Sequence, residues 1–232
     1  MTLLSIVQDA TDEIGFPQPA TVVGNAEVNQ MFRLLNREGE SLSKWGWQAL
    51  RKEDTFTLVT STQTYALATD FRYIVPDTMW NRDNKRKVVE PLTSSEWQFF
   101  QGWSTVNGLN LRGRIRNSLI EFEQTIVSGD NGKTIAYEYI SKNWSLTSGS
   151  SAQQKFAADD DTSLLDDELL TLGLIWRFRK AKGLPFETDL AEYQKEVSQA
   201  KARDGGSRKL RLGGDSVNHL GVNIPEGDIF GV

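Results

Sequence analysis

The chain has no cysteine and a single histidine, His219. The first absence excludes disulfides, cysteine nucleophiles, iron–sulfur clusters and cysteine-based zinc sites. The second excludes any two-histidine metal site, His-Glu-x-x-His included. A Ser-His-Asp triad would have to take its base from the glycine-rich C-terminus, a poor place to hold an imidazole rigidly. Positive charge is not in excess: 31 Asp and Glu stand against 26 Lys and Arg, a net charge of −5 over 232 residues. That balance argues against a dedicated nucleic-acid binder, which carries a strongly basic face. No apolar run approaches the ~18 residues that span a membrane. The opening Met-Thr-Leu-Leu-Ser-Ile-Val lacks a basic flank and meets Asp9, Asp12 and Glu13 at once, so no signal peptide is expected. A soluble intracellular protein with no membrane contact is the simplest expectation.

What is present is ordinary globular sequence, 38% hydrophobic and 25% charged, enough for one large domain or two small ones. Leu3, Ile6, Val7, Ala10 and Ile14 recur at helical spacing, and Gly15 and Pro17 stop that helix. A second helix is expected from Asn25, a good N-cap, with Val28, Met31, Leu35 and Leu42 as its buried stripe. Trp45 and Trp47 follow as anchors at its end. From about residue 53 the period changes to two. Strands are expected over 55–60 and 64–68, and around Val88–Val89, ended by Pro91. Thr93 and Glu96 have capping-box spacing, so a short helix is expected over 94–101. Residues 109–116 alternate apolar and arginine, Asn117-Ser118 turns into a strand at 119–124, and a hairpin turn falls at 129–132 before Ile135, Tyr137 and Tyr139. Residues 145–155 read as an exposed polar loop.

Helices over 166–182 and 187–203 follow. The first has acids at its start, bases at its end, and Gly183 and Pro185 beyond. Each is roughly 25 Å long, and together they form a helical hairpin. Residues 206–232 are glycine-rich yet hold Leu210, Leu212, Val217, Leu220, Val222, Ile224, Ile229 and Phe230 without period. That is too much aliphatic surface for a purely solvated linker. The segment is an extended arm that orders on a partner, a frayed tail, or a tail that packs on its own subunit. The expected class is α+β: an antiparallel helical bundle made by the N- and C-terminal helices (1–52 and 159–205), an inserted β-rich domain (53–158), and an extended arm (206–232).

Motifs for chemistry fail one by one. Gly132-Lys133-Thr134 ends like a phosphate loop, but Val127 stands where glycine is needed and a strand follows, not a helix. Asp159-Asp160-Asp161 lacks the glycine and glutamate of a calcium loop, and reads as a loop whose acids lie near a helix N-terminus. Arg112, Arg114 and Arg116 form a one-sided basic stripe, facing either phosphates, an acidic partner or solvent. Trp97, Phe99, Phe100 and Trp103 cannot all face inward from one short helix, which leaves an interface or a wedge between parts of the same chain. No catalytic residue, metal ligand or cofactor is assigned.

The block from Lys155-Phe156-Ala157-Ala158-Asp159-Asp160-Asp161 through Leu164-Leu165-Asp166-Asp167-Glu168 to Trp176-Arg177-Phe178-Arg179-Lys180-Ala181-Lys182-Gly183 resembles the C-terminal half of tailed-phage head-to-tail adaptor proteins, the group that includes the tail tubular A proteins. Ala191-Glu192-Tyr193, Phe56-Thr57-Leu58, Tyr65-Ala66-Leu67, Val75-Pro76 and Leu34-Leu35-Asn36 match it in style. The resemblance covers most of residues 25–206 and carries no catalytic signature. It implies a virion structural protein at the head–tail junction, made in the host cytoplasm. It implies a homo-oligomeric ring, dodecameric in the family, below the portal protein and above a tail or nozzle protein. DNA would pass through the ring with transient, non-specific contact. The arm would reach the portal or a neighbouring subunit. In such a ring Asp159, Asp160, Asp161, Asp166 and Asp167 would meet Arg177, Arg179, Lys180 and Lys182 of the next subunit, a heterologous contact that closes on itself. The rival readings are a nucleic-acid-binding module using the arginine stripe, and a hydrolase using carboxylates distant in sequence.

Overall fold

The computed structural model describes residues 1–89, 92–102 and 110–205. The eight apolar arm residues from Leu210 to Phe230, with His219, Pro91, Trp103 and Leu109, lie outside the described residues. Helix α1 (Leu3–Ile14) opens on Thr2, whose hydroxyl accepts the Ser5 N–H, and closes on Gly15 at φ 82°, a left-handed conformation that glycine adopts without penalty. Helix α2 (Asn29–Leu42) begins four residues later than Asn25 predicted. The Asn25 carboxamide instead accepts the Glu27 N–H at 3.0 Å, and a short polar side chain that satisfies a nearby amide holds a turn in place of a helix start. Of the two tryptophans after α2, only Trp47 anchors: it is buried and donates to the Leu42 carbonyl at 2.8 Å, while Trp45 is 61% exposed.

The chain then runs through β1 (Arg51–Thr57), β2 (Thr64–Ala66), β3 (Phe71–Ile74), β4 (Trp80–Asn81), β5 (Arg86–Lys87), α3 (Ser94–Gly102), β6 (Gly113–Arg116), β7 (Leu119–Phe122), β8 (Thr134–Ser141), β9 (Ser145–Leu146), β10 (Ala152–Gln153) and β11 (Thr162–Ser163). Helices α4 (Asp167–Lys182) and α5 (Glu187–Asp204) close the described chain. The capping box forms as expected: the Glu96 carboxylate accepts the Thr93 N–H at 2.8 Å and the Thr93 hydroxyl accepts the Glu96 N–H at 3.2 Å. Asn117 and Ser118 both take positive φ, the geometry of a tight hairpin turn, and join β6 to β7. Asp166 caps α4 and Gly183 ends it at φ 69°.

Three expectations are corrected. Val88 and Val89 form no strand of their own: the strand is Arg86–Lys87, and Val89 makes a single parallel bridge to Arg112. The turn at 129–132 is not a hairpin. It carries the chain from β7, which pairs with β2 and β6, to β8, which pairs with β1, β3 and β4. Residues 145–155 are not a plain loop either. β9 lies between β10 and β11 in a small antiparallel sheet, and Trp144 beside it is fully buried.

The fold is α+β, with five α-helices and antiparallel sheets among the described residues. Its apolar side chains gather in two clusters. One collects α1, α2, α4 and the inner face of α5, with Trp144 and Phe156 added from the segment around β9 and β10. The other collects Leu58, Tyr65, Met79, Ile120, Phe122, Ile135, Tyr137 and Tyr139 from the two larger sheets. β8 serves both, because alternate strand residues face opposite sides: Ile140 belongs to the helical cluster and Tyr139 to the sheet cluster.

Helix α4 is the hub of the helical part, in contact with α1, α2 and α5. Two helix-interior glycines make this packing possible. A Cβ on Gly39 would overlap the Trp144 ring, and one on Gly173 would lie 2.5 Å from the Glu38 Cγ. Glycine inside a helix costs about 1 kcal/mol relative to alanine, so both positions are held by close approach. Gly39→Ala is expected to destabilise the chain by about 2–3 kcal/mol despite alanine's better helix propensity, since overpacking a dense core displaces ring and backbone; urea unfolding of the variant measures it.

Candidate functional site

The arginine stripe is the first candidate surface, and the structure closes it. Arg114 on β6 pairs with Glu121 across the hairpin at 2.6 Å, and Arg112 lies 3.7 Å from Glu123. The guanidinium of Arg112 sits 4.1 Å from the Phe100 ring centroid and that of Arg114 sits 4.0 Å from Trp97. Each is a sandwich of carboxylate, guanidinium and ring, in which planar Arg can bond at its edge and stack on its face. Only Arg116 is exposed. Of the stripe expected to face phosphates, an acidic partner or solvent, Arg112 and Arg114 therefore work as a clamp that holds α3 on the β6–β7 hairpin. The described aromatics do not all face inward, as expected: Trp97 is wedged against its own chain, and Phe99, 56% exposed, turns outward.

The acidic and basic blocks around α4 are largely engaged within the chain. Asp159 accepts the Val22 and Val23 N–H groups at 3.1 and 2.8 Å. Asp161 is buried and takes the Ala157 and Ala158 N–H groups and the Gln153 amide at 2.6–2.8 Å. Asp166 caps α4 through the Glu168 N–H, and Asp167 lies 2.5 Å from the Met1 amino group. Arg179 bonds both oxygens of Asp189 at 2.7–2.8 Å, tying α4 to α5. Asp160, Lys180 and Lys182 are the exposed remainder that makes no ion pair among the described residues; the two lysines lie over Phe186 and Phe178. Among the described residues no group of three or more acidic or histidine side chains could hold a metal ion. No helix among them is long and apolar enough to cross a membrane.

Two polar centres that sequence reasoning missed organise the interior. Glu38 on α2 has no exposed surface. Its carboxylate accepts from the Arg177 guanidinium of α4 and from the Tyr193 hydroxyl of α5. Burial, and then the Glu38 charge, push the Tyr193 phenol above its ordinary range. The signal was present: Glu38 continues the Met31, Leu35, Leu42 stripe, where a carboxylate belongs only if paired. Its partners, over a hundred residues away, were not readable.

The second centre lies at the seam of the two clusters. Asp70 accepts from Lys52 on β1, and from Tyr139 and Ser141 on β8, each at 2.7 Å. Burial pushes its carboxyl up, but the bonds from Lys52, Ser141 and Tyr139 outweigh it and hold the group at about 2. Burial, with the neighbouring carboxylates Asp54 and Asp70, raises the Tyr137 and Tyr139 phenols above their ordinary range. Both centres are fully engaged in structural bonds. Arg177 and Tyr193 of the first centre also line a groove beside α4 and α5.

Among the described residues, three open grooves stand out. One of about 420 Å³ runs between α4 and α5 past Trp45, Trp176, Leu190 and Val197, with Lys201 stacked on Trp45 at 2.8 Å. A second, of about 470 Å³, lies beside the end of α5, between Trp47, Leu165, Ala200 and Arg203. The third, of about 550 Å³, lies over the outer face of the five-stranded sheet around Trp80. Grooves of this open kind, lined by tryptophans and charges, suit protein contact better than enclosure of a small substrate. Compared with known proteins, the chain matches the family model described as SU10 adaptor protein over residues 1–218. No curated protein matches it.

Two outcomes are expected. Arg177→Met leaves Glu38 buried without its cation and costs about 3 kcal/mol, whereas Glu38→Met combined with Arg177→Met recovers most of that loss; a double-mutant cycle in urea reads both. Because the Asp70 carboxyl sits below its ordinary value of 3.8, its contribution is complete above that pH and is lost as the pH falls towards about 2. Asp70→Asn removes it, lowering stability at pH 7 by about 1–2 kcal/mol and flattening the acid limb of a stability-versus-pH curve.

Proposed function

The chain belongs to the SU10 adaptor protein family, making it a phage head-to-tail adaptor, and from that premise we propose that it assembles as a homo-oligomeric ring, a dodecamer, below the portal. The ring joins the DNA-filled capsid to the tail or nozzle protein and lines the channel through which DNA is ejected. Subunits fold in the host cytoplasm and end in the virion. The observation that carries the reading is the family match over residues 1–218. The reading keeps the layout of a bundle (1–52 and 159–205), a β-rich insert (53–158) and an arm (206–232); the two apolar clusters support the first two parts, although Ile140, Trp144 and Phe156 of the insert pack in the helical cluster. In this reading Leu210, Leu212, Val217, Leu220, Val222, Ile224, Ile229 and Phe230 contact the portal or a neighbouring subunit.

The work is mechanical and electrostatic. A closed ring needs two different complementary patches per subunit. With Asp159, Asp161, Asp166, Asp167, Arg177 and Arg179 already bonded in the chain, the inter-subunit charge contact falls to Asp160 on one side and Lys180 and Lys182 on the other. A channel component of net charge −5 lets phosphates pass without the cationic contacts that would hold them. The nucleic-acid-module reading loses its footing, because Arg112 and Arg114 lie against glutamates and rings of their own chain.

Native mass spectrometry of the chain with and without portal protein tests the proposal. Ring-sized species on portal are expected; a chain that stays monomeric with no affinity for portal overturns it. Lys180→Glu with Lys182→Glu is expected to weaken assembly about tenfold, the scale of a close interfacial charge pair, while lowering the stability of the free subunit by about 1–2 kcal/mol through the C-terminus of α4.

A further inference from the structure

Two helices of the bundle end alike. α1 runs into Gly15-Phe16-Pro17 and α4 into Gly183-Leu184-Pro185. Each glycine is left-handed, at φ 82° and 69°. Each following residue returns its N–H to the carbonyl five positions back, Phe16 to Thr11 at 2.8 Å and Leu184 to Arg179 at 3.0 Å. In such a helix stop the residue after glycine is commonly hydrophobic and folds back on the last turn. Here both stay half out: Phe16 is 49% and Leu184 46% exposed. The two stops lie at one end of the bundle, because α1 and α4 run in the same sense. The Met1 amino group lies 2.5 Å from Asp167 at the start of α4, and the Phe16 ring meets Phe178 edge-on near its end, 5.7 Å between centroids. Lys182 lies over the Phe178 ring and Lys180 over Phe186. This end is an apolar knob flanked by two lysines that make no ion pair among the described residues.

The opposite end is concave and acidic. The groove of about 470 Å³ opens there, between the start of α4 and the end of α5. Its floor is Trp47, Leu165 and Ala200, all buried. Its rim carries Asp166, Glu168 and Asp204 against one cation, Arg203. Asp166 and Asp204 accept the Glu168 and Gln48 N–H groups, bonds that leave the carboxylate charge in place. Asp160 belongs to the same end, since the Leu3 and Leu4 N–H groups bond the carbonyls of its neighbours Asp161 and Asp159. The 16 residues of α4 hold the two ends roughly 24 Å apart, so the knob does not reach the groove of its own subunit.

We propose that the Phe16–Leu184 knob of one copy seats in the Trp47–Leu165 groove of a second copy, end to end. The half-exposed Phe16 and Leu184 meet an apolar floor, and Lys180 and Lys182 come to face the rim carboxylates and Asp160. That is an apolar centre inside a polar, charge-matched rim. The knob and the groove are different patches, so the contact is heterologous and propagates from subunit to subunit until it closes. The inference rests on the ring reading and gives the contact of Asp160 with Lys180 and Lys182 an apolar anchor, the kind of residue at which truncation costs an interface most.

Ala49 lines the groove and is exposed, so Ala49→Trp fills the groove from its surface, and Leu184→Ser removes the tip of the knob. Each is expected to raise about tenfold the concentration of full chain at which rings form on portal protein, read by native mass spectrometry. The urea midpoint of each free chain is expected to stay within the small range of surface substitutions. With no native cysteine, Leu184→Cys takes a single benzophenone probe through its thiol. Irradiating the assembled ring is expected to join the probe, between chains, to peptides that hold Trp47, Leu165 or Ala200. Unchanged assembly in either variant, or cross-links that fall outside those peptides, overturns this contact while wild-type rings leave the ring reading standing. A wild-type chain that never assembles overturns both.

Discussion

A carboxylate with no exposed surface holds the helical part together. Glu38 sits between α2, α4 and α5 and is satisfied by Arg177 and Tyr193. A buried charge is tolerable only when paired and fully hydrogen-bonded, so the three helices have one relative placement at which the carboxylate is at rest. Gly173 is what lets α4 come close enough, since a side chain there would occupy the space of the Glu38 stem. One residue further along α2, Gly39 receives the ring of Trp144. The same turn of α2 thus fixes the helices to one another on one side and to the strand-bearing segment on the other.

The sheets are organised by a comparable economy of charge. β8 is buried on both faces and contributes to both apolar clusters, and Asp70 ties it to β1 where the clusters meet. The arginines of the β6 hairpin are neutralised by glutamates of β7 and covered by α3. Most of the charge that looked available for partners in the linear sequence is bonded inside the chain. The exposed remainder, with grooves beside Trp45 and at the end of α5, is the surface left for contact. This is a molecule whose chemistry is cohesion and contact, as fits a structural adaptor.

The elements set by local physics were legible. α1, α3, α4 and α5 announce themselves by apolar spacing together with Gly15, the Thr93–Glu96 box, Asp166 and Gly183, because each signal acts within one turn of the residues it governs. The start of α2 was misread for the same reason: Asn25 does bond a nearby amide, but as a turn. Strand partners were not legible. β1 and β2 are near neighbours in sequence and belong to different sheets, while β1 pairs with β8 some eighty residues on; nothing in a two-residue period says which edge a strand will meet. Of the charged side chains, those at α4's ends were read correctly as complementing the helix, and the arginine stripe was read in the wrong setting because Glu121, Glu123, Trp97 and Phe100 approach it only in the fold.

The sequence by itself determined what this protein is not and how its helices begin and end. Zero cysteines and one histidine are facts of composition, and capping is a matter of residues three or four apart. The family, too, was readable from the pattern across 155–206, since it is a pattern of helices and turns. Only the tertiary structure decided which charges remain for partners. An ion pair such as Glu38 with Arg177 or Arg114 with Glu121 forms or fails according to distances of a few ångströms, set by packing between segments far apart in the chain. Coulomb and hydrogen-bond energies at those distances decide whether a side chain serves the fold or faces the outside.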